Sequence, residues 1–145
     1  MRKIKFRGRR FDNGEWAYGY LYILPLPNVE PGTLILTDDY FEEFRHGTRD
    51  YELAFHLWKD MFPVKPETVG QFTSLYDKNK KEIYEGDILK AGDEKMRLEV
   101  RFVRGVFSFL WNGNLDDEFP TGSPTHEWAE VVGNIHENKK LLKGD

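Results

Sequence analysis

Cysteine is absent from the 145 residues, which removes disulfides, thiolate nucleophiles and Cys-ligated zinc or iron–sulfur centres together. A metal site would have to be built from His and carboxylates, and His itself is scarce at four residues. Long hydrophobic runs are missing as well. No stretch approaches the roughly 20 apolar residues of a membrane span, and the opening MRKIKFRGRRF is basic without an apolar core of signal-peptide length. The expected setting is therefore the cytoplasm, with no membrane partner. The chain also lacks a phosphate-cradling glycine loop, a dinucleotide fingerprint, and a nucleophile elbow around Ser74, Ser108 or Ser123. No catalytic, cofactor-binding or metal-ligating residue is assigned, and no cofactor is expected.

Aromatic residues are plentiful: four Trp, seven Tyr and eleven Phe. They compensate for a modest hydrophobic share of 39%, because large rings fill a core and suit strands. The length fits one domain. Net charge is -4, yet the first ten residues carry Arg2, Lys3, Lys5, Arg7, Arg9 and Arg10 without a single acid. Such a stretch can meet phosphates, since Lys and Arg release condensed counterions. It can equally be the solvated face of a strand, because the cations alternate with Ile4 and Phe6.

Alternation with period two marks hairpins along most of the chain. Lys3 to Arg10 and Trp16 to Ile23 form the first, with Asn13-Gly14 suited to a type I′ turn and Trp16, Tyr18, Tyr20 and Tyr22 on one face. Pro25 and Pro27 end that strand, and residues 33 to 37 suit another. Between 38 and 62 the period changes. Leu53, Ala54, Leu57, Trp58 and Met61 fall at helical spacing, so one or two short helices are expected there. Strands resume at Thr68 to Thr73, with a turn at 77 to 81. Further strands follow at Glu82 to Tyr84, Ile88 to Ala91, Lys95 to Val103, Val106 to Trp111 and, after a loop over 112 to 125, Glu127 to His136. Gly70, Gly86, Asp87 and Gly105 are assigned, with Asn13 and Gly14, as residues that shape turns.

About nine short strands with little helix predict a mainly β protein, a small β-sandwich or SH3-like barrel built from hairpins. A single domain over 1–145 is expected. Its parts are an N-terminal hairpin lobe near 1–37, a helical or irregular insert near 38–65 and a barrel-like C-terminal lobe near 66–138.

Three constellations resemble chemistry. His126-Glu127-Trp128-Ala129-Glu130 has the outline of a zinc-protease helix, but its last position is Glu, and on a strand residues four apart stand about 13 Å from each other, too far to share one ion. His126 and His136, with Glu127 or Glu137, could meet across strands. Glu82, Glu85 and Asp87 place carboxylates close together, as acid–base catalysis requires, although a turn role for Asp87 and solvation of the glutamates explain the same pattern. The aromatic stripes Tyr18, Tyr20, Tyr22 and Phe107, Phe109, Trp111 either stack on bases beside the basic strand or fill the core. Core packing is favoured, because little aliphatic content is left to do it.

The segment Pro66-Glu67-Thr68-Val69-Gly70-Gln71-Phe72-Thr73, then Asp77-Lys78-Asn79 and Lys81-Glu82-Ile83-Tyr84-Glu85-Gly86-Asp87-Ile88, resembles the signature of the YopX family of phage and prophage proteins. Met1-Arg2-Lys3-Ile4-Lys5-Phe6-Arg7 is similar to that family's start, and Glu130 to Asn138 to its close. Ser74 and Lys80 depart from it by standing where glycine is usual, and residues 25–63 and 111–125 match no pattern of it. If φ is positive at Lys80, its turn is costlier than a glycine turn. The resemblance implies a phage-derived, predominantly β protein in a bacterial host, and it carries over no catalytic residues. The expectation drawn from it is a noncatalytic interaction or assembly module whose partner is itself, as a homo-oligomer, or a host or phage protein. Nucleic-acid binding through the basic first strand is the alternative, and a carboxylate or His hydrolase ranks last.

Overall fold

A computed structural model describes residues 3–24, 32–37, 61–92, 95–120 and 124–143. They form eleven β-strands and three short 3-10 turns, in two compact units: Ile4–Gln71, and Phe72–Asp145 with Met1–Lys3.

In the first unit β1 (Phe6–Arg9), β2 (Trp16–Leu24), β3 (Gly32–Leu36) and β4 (Met61–Pro63) pair antiparallel in the order β4-β3-β2-β1. Gly70 and Gln71, which open β5 (Gly70–Tyr76), pair with Arg7 and Phe6. The register sets Gly8 opposite Ala17 and Leu21 opposite Ile35, which in turn faces Phe62. One face of the sheet therefore collects Phe6, Ala17, Leu21, Ile35 and Phe62 around Val64 and Val69. Ile35 and Val64 are wholly buried, a contribution of about 2 kcal/mol each. Gly19 lies where β2 and β3 nearly touch, and a Cβ there would stand 1.9 Å from the Leu36 carbonyl oxygen.

The first hairpin turns differently from its expected type I′ form. Arg10 N–H donates to Glu15 O at 2.9 Å, enclosing four residues, and Gly14 N–H donates to Arg10 O. Gly14 has a left-handed φ of 72° and Asn13 does not. The reason is local: the Asn13 side-chain oxygen accepts Glu15 N–H at 2.9 Å, and Arg10 reaches Asp12 within the loop, so the wider loop satisfies its own polar groups. The I′ geometry appears instead at Arg104-Gly105, with φ of 49° and 84°. Gly70, expected at a turn, is a strand residue without left-handed φ. The turn precedes it: Pro66–Thr68 is a 3-10 turn tied to β1, where Thr68 Oγ1 accepts Arg9 N–H at 2.9 Å and donates to Lys65 O.

In the second unit the remainder of β5 pairs with β6 (Glu82–Tyr84), and a separate sheet has the order β10-β9-β8-β7-β11. Its strands are β7 (Asp87–Lys90), β8 (Arg97–Val103), β9 (Val106–Trp111), β10 (Glu118–Pro120) and β11 (Glu130–Asn134). Ile83, Leu89, Ala91, Leu98, Val100, Phe109 and Ala129 form the core. The opposite face of the β7–β8–β9 ladder places Glu99 between Ile88 and Leu110, with Arg101 clasping the buried Glu99 carboxylate at 2.8 Å.

Three expectations need correction. No closed barrel forms among the described residues: β10 and β11 remain separate edges of an open sheet, and β10 ends at Pro120, which has no N–H to extend a ladder. Met61 and Phe62, expected at the end of the helical insert, lie in β4, while residues 38–60 fall outside the described residues. The last strand starts at Glu130 rather than Glu127, because Pro124–Glu127 is a 3-10 turn, and the loop expected over 112–125 contains β10.

Candidate functional site

The turn joining β5 to β6 begins with a bulge. Thr73 Oγ1 donates to Ile83 O at 2.8 Å and accepts Leu75 N–H at 3.1 Å, so a hydroxyl takes a place in the ladder and the register shifts between Phe72 and Tyr76. Ser74, at the bulge, has φ 68°. Asp77 then organises the turn. Its N–H donates to Lys81 O, and its Oδ1 accepts the N–H groups of Asn79 at 2.8 Å and Lys81 at 2.9 Å. Its Oδ2 accepts Val131 N–H at 3.0 Å. Burial is the largest influence on this carboxyl and works to raise its pKa, but the N–H groups of Val131, Lys81 and Asn79 outweigh it and hold the pKa below the ordinary value. Lys80, in the same turn, has φ 66°. Lys78 N–H donates to Ala129 O, and Lys78 Nζ lies 3.2 Å from Glu130.

Ser74, Leu75, Asp77, Lys78 and Lys80 wall a cleft of about 460 Å³, completed by Tyr76, His126 and Glu127. Tyr76 is half-exposed and meets Phe72 edge to face, with ring planes at 71° and centroids 5.5 Å apart. His126 has its Nδ1 buried with no hydrogen-bond partner among the described residues. Lys80 makes no ion pair among them. His136 lines a different hollow of about 390 Å³ with Glu137, Lys139 and Leu141, so the two late histidines are not brought to one site. Asp87 points inward and accepts Tyr84 N–H at 2.8 Å, while Glu82 lies 3.4 Å from the Tyr84 hydroxyl. Glu82, Glu85 and Asp87 do not line the cleft. Among the described residues no group of three or more His, Asp and Glu is placed to hold an ion.

A second candidate surface lies in the first unit. The face opposite the core carries Tyr18, Tyr20 and Tyr22, exposed by 42%, 43% and 47%. Arg7 pairs with Tyr18 and Arg9 with Trp16 in the β1–β2 register, so cations and aromatics share this face. They contact each other: the Arg7 guanidinium lies 4.6 Å from the Trp16 ring centre and Lys5 Nζ 5.8 Å from that of Tyr18. Arg7 is only 6% exposed, Arg9 donates to Gly14 O, and Arg10 sits over Phe62 at 4.0 Å while pairing with Asp12. Lys3 is exposed, and Arg2 lies outside the described residues. The other aromatic stripe divides: Phe107 and Phe109 are buried and Trp111 is exposed.

The Asp77 clamp and the Ser74, Lys80 and His126 cleft were not identified by sequence reasoning. The Asp-x-Asn spacing at 77–79 signals an Asx turn, but nothing local signals Val131. Gly86 and Gly105, with φ of 91° and 84°, occupy left-handed turn positions.

Two units of short antiparallel strands, with no closed barrel among the described residues, define a mainly β protein. The profile of the family described as YopX protein matches residues 5–143, and the chain belongs to the YopX family. Among solved structures it is similar to protein yopX from Bacillus subtilis, at 19% identity and a TM-score of 0.50, covering 100% of this chain and 99% of that one. Protein EF1440 from Enterococcus faecalis is similar at 24% identity and a TM-score of 0.47, covering 98% and 99%. No curated protein matches.

Proposed function

We propose that the protein is a noncatalytic interaction or assembly module, a phage or prophage accessory protein of the bacterial cytoplasm, and that its partner is a second copy of itself. The row Tyr18, Tyr20, Tyr22 carries this reading. Tyrosine offers a large, rigid contact area with a polar end, the combination enriched at protein interfaces. The row itself is uncharged, and its cationic neighbours Lys5 and Arg7 lie at the Tyr18 end, which an antiparallel two-fold contact keeps apart in the two copies. A two-fold, antiparallel contact sets Tyr18 against Tyr22 and the two Tyr20 side chains at the axis. The phage and cytoplasmic parts rest on the likeness of residues 66–88 to the family signature. Hydrogen exchange along a dilution series tests the face: protection at residues 18–22 should rise with protein concentration, and protection independent of concentration refutes self-association there.

The shared face of Lys5, Arg7, Arg9, Trp16 and Tyr18 favours nucleic-acid binding as a second reading. It ranks lower because Arg7 is buried and Arg9 and Arg10 are engaged within the hairpin. A gel shift with single-stranded DNA and RNA that weakens with salt and with Lys5→Ala supports it; no shift at low salt removes it.

A further inference from the structure

We infer that the cleft beside the β5–β6 turn binds a small phosphorylated ligand of mononucleotide size, with its phosphate held by Lys80 and the Ser74 hydroxyl. Both residues hold left-handed φ, 68° and 66°, and both line the cleft. Glycine would serve either position if turning were the only requirement. The chain instead keeps a hydroxyl and an ammonium there at the cost of backbone strain, and strain of this kind concentrates at ligand sites.

Neither group is strongly held elsewhere. Ser74 Oγ donates to Lys3 O at 3.5 Å, the outer limit of a hydrogen bond, and Lys80 makes no ion pair among the described residues. Lys78, by contrast, is taken up by Glu130. A third polar side chain, that of His126, lines the same cleft.

The volume of about 460 Å³ suits one small molecule. The half-exposed Tyr76 ring gives a wall on which a base can stack, and Glu127 gives an acceptor for an exocyclic amine. The frame is rigid, because Asp77 ties the turn to Val131. The cleft and the tyrosine row share no residue, so either proposal can fail alone.

Amide NMR titrations with adenosine monophosphate, adenosine and inorganic phosphate test the inference. Adenosine monophosphate should saturate, with shifts concentrated at residues 74–80 and 126–127, and bind at least about tenfold more tightly than either fragment. Lys80→Gly relieves the φ strain, so it should remain folded and become more stable while losing at least about tenfold in affinity. The inference is overturned by the absence of saturable binding at millimolar ligand, by adenosine or phosphate matching the nucleotide, or by Lys80→Gly binding as tightly as the natural chain.

Discussion

The Asp77 carboxylate accepts the backbone N–H of Val131 at 3.0 Å, joining two positions 54 residues apart. The same carboxylate closes its own turn through Asn79 and Lys81. One buried side chain therefore fixes both the turn between β5 and β6 and the entry to β11. An amide in its place would turn a donor toward one of these N–H groups. Asp77→Asn should lower unfolding free energy by about 3 kcal/mol, as when a buried donor loses its acceptor, and urea unfolding at neutral pH measures it. A loss under about 0.5 kcal/mol, the range of ordinary surface changes, would show that the clamp contributes nothing.

The same carboxyl predicts an acid response. Its pKa is depressed in the folded state, so its stabilisation is fully present above the unfolded value and is lost as pH falls through the folded one. Stability of the natural chain should fall as pH drops from about 5 toward 2. Asp77→Asn should show a shallower decline across that window. Parallel curves for the two proteins would assign acid sensitivity to other groups.

Gly19→Ala should disrupt the first unit. The added Cβ would meet the Leu36 carbonyl oxygen at 1.9 Å, and backbone on a paired strand cannot step aside as a flexible side chain can. A loss of about 3 kcal/mol is expected, read from thermal or urea unfolding, and a variant as stable as the natural chain would mean that β2 and β3 are less closely apposed.

Ser74→Gly and Lys80→Gly should each stabilise the protein by about 1 kcal/mol, because each replaces an L-residue held at positive φ. Urea midpoints that rise with an unchanged slope would show this. Midpoints that fall would mean that these side chains make compensating contacts in the fold.

Much of this fold is legible in the sequence because alternation is a local signal. Leu98 and Val100 alternate with Arg97 and Arg101, and the former pair is buried as the pattern requires. The pattern says which face a residue shares, not how far the covering layer extends. Phe102 and Trp111 share the β8–β9 face of Val100 and Phe109 yet are exposed, since they stand at the ends of that ribbon. The scarcity of aliphatic residues points to Tyr18, Tyr20 and Tyr22 as core, but Ala17, Leu21, Ile35 and Phe62 fill the core from the other face. The cleft was hidden for a different reason. Ser74 and Lys80 meet His126 across about fifty residues of chain through tertiary pairing alone, and no local spacing encodes such a meeting.

Sedimentation equilibrium over a wide concentration range tests most directly whether the tyrosine face assembles the protein. The natural chain should sediment as a dimer in equilibrium with monomer. Replacing Tyr18, Tyr20 and Tyr22 with Ser should leave a folded monomer, because exposed side chains contribute little to the fold. A natural chain that stays monomeric at every concentration, or a triple variant that dimerises as strongly, would contradict the account.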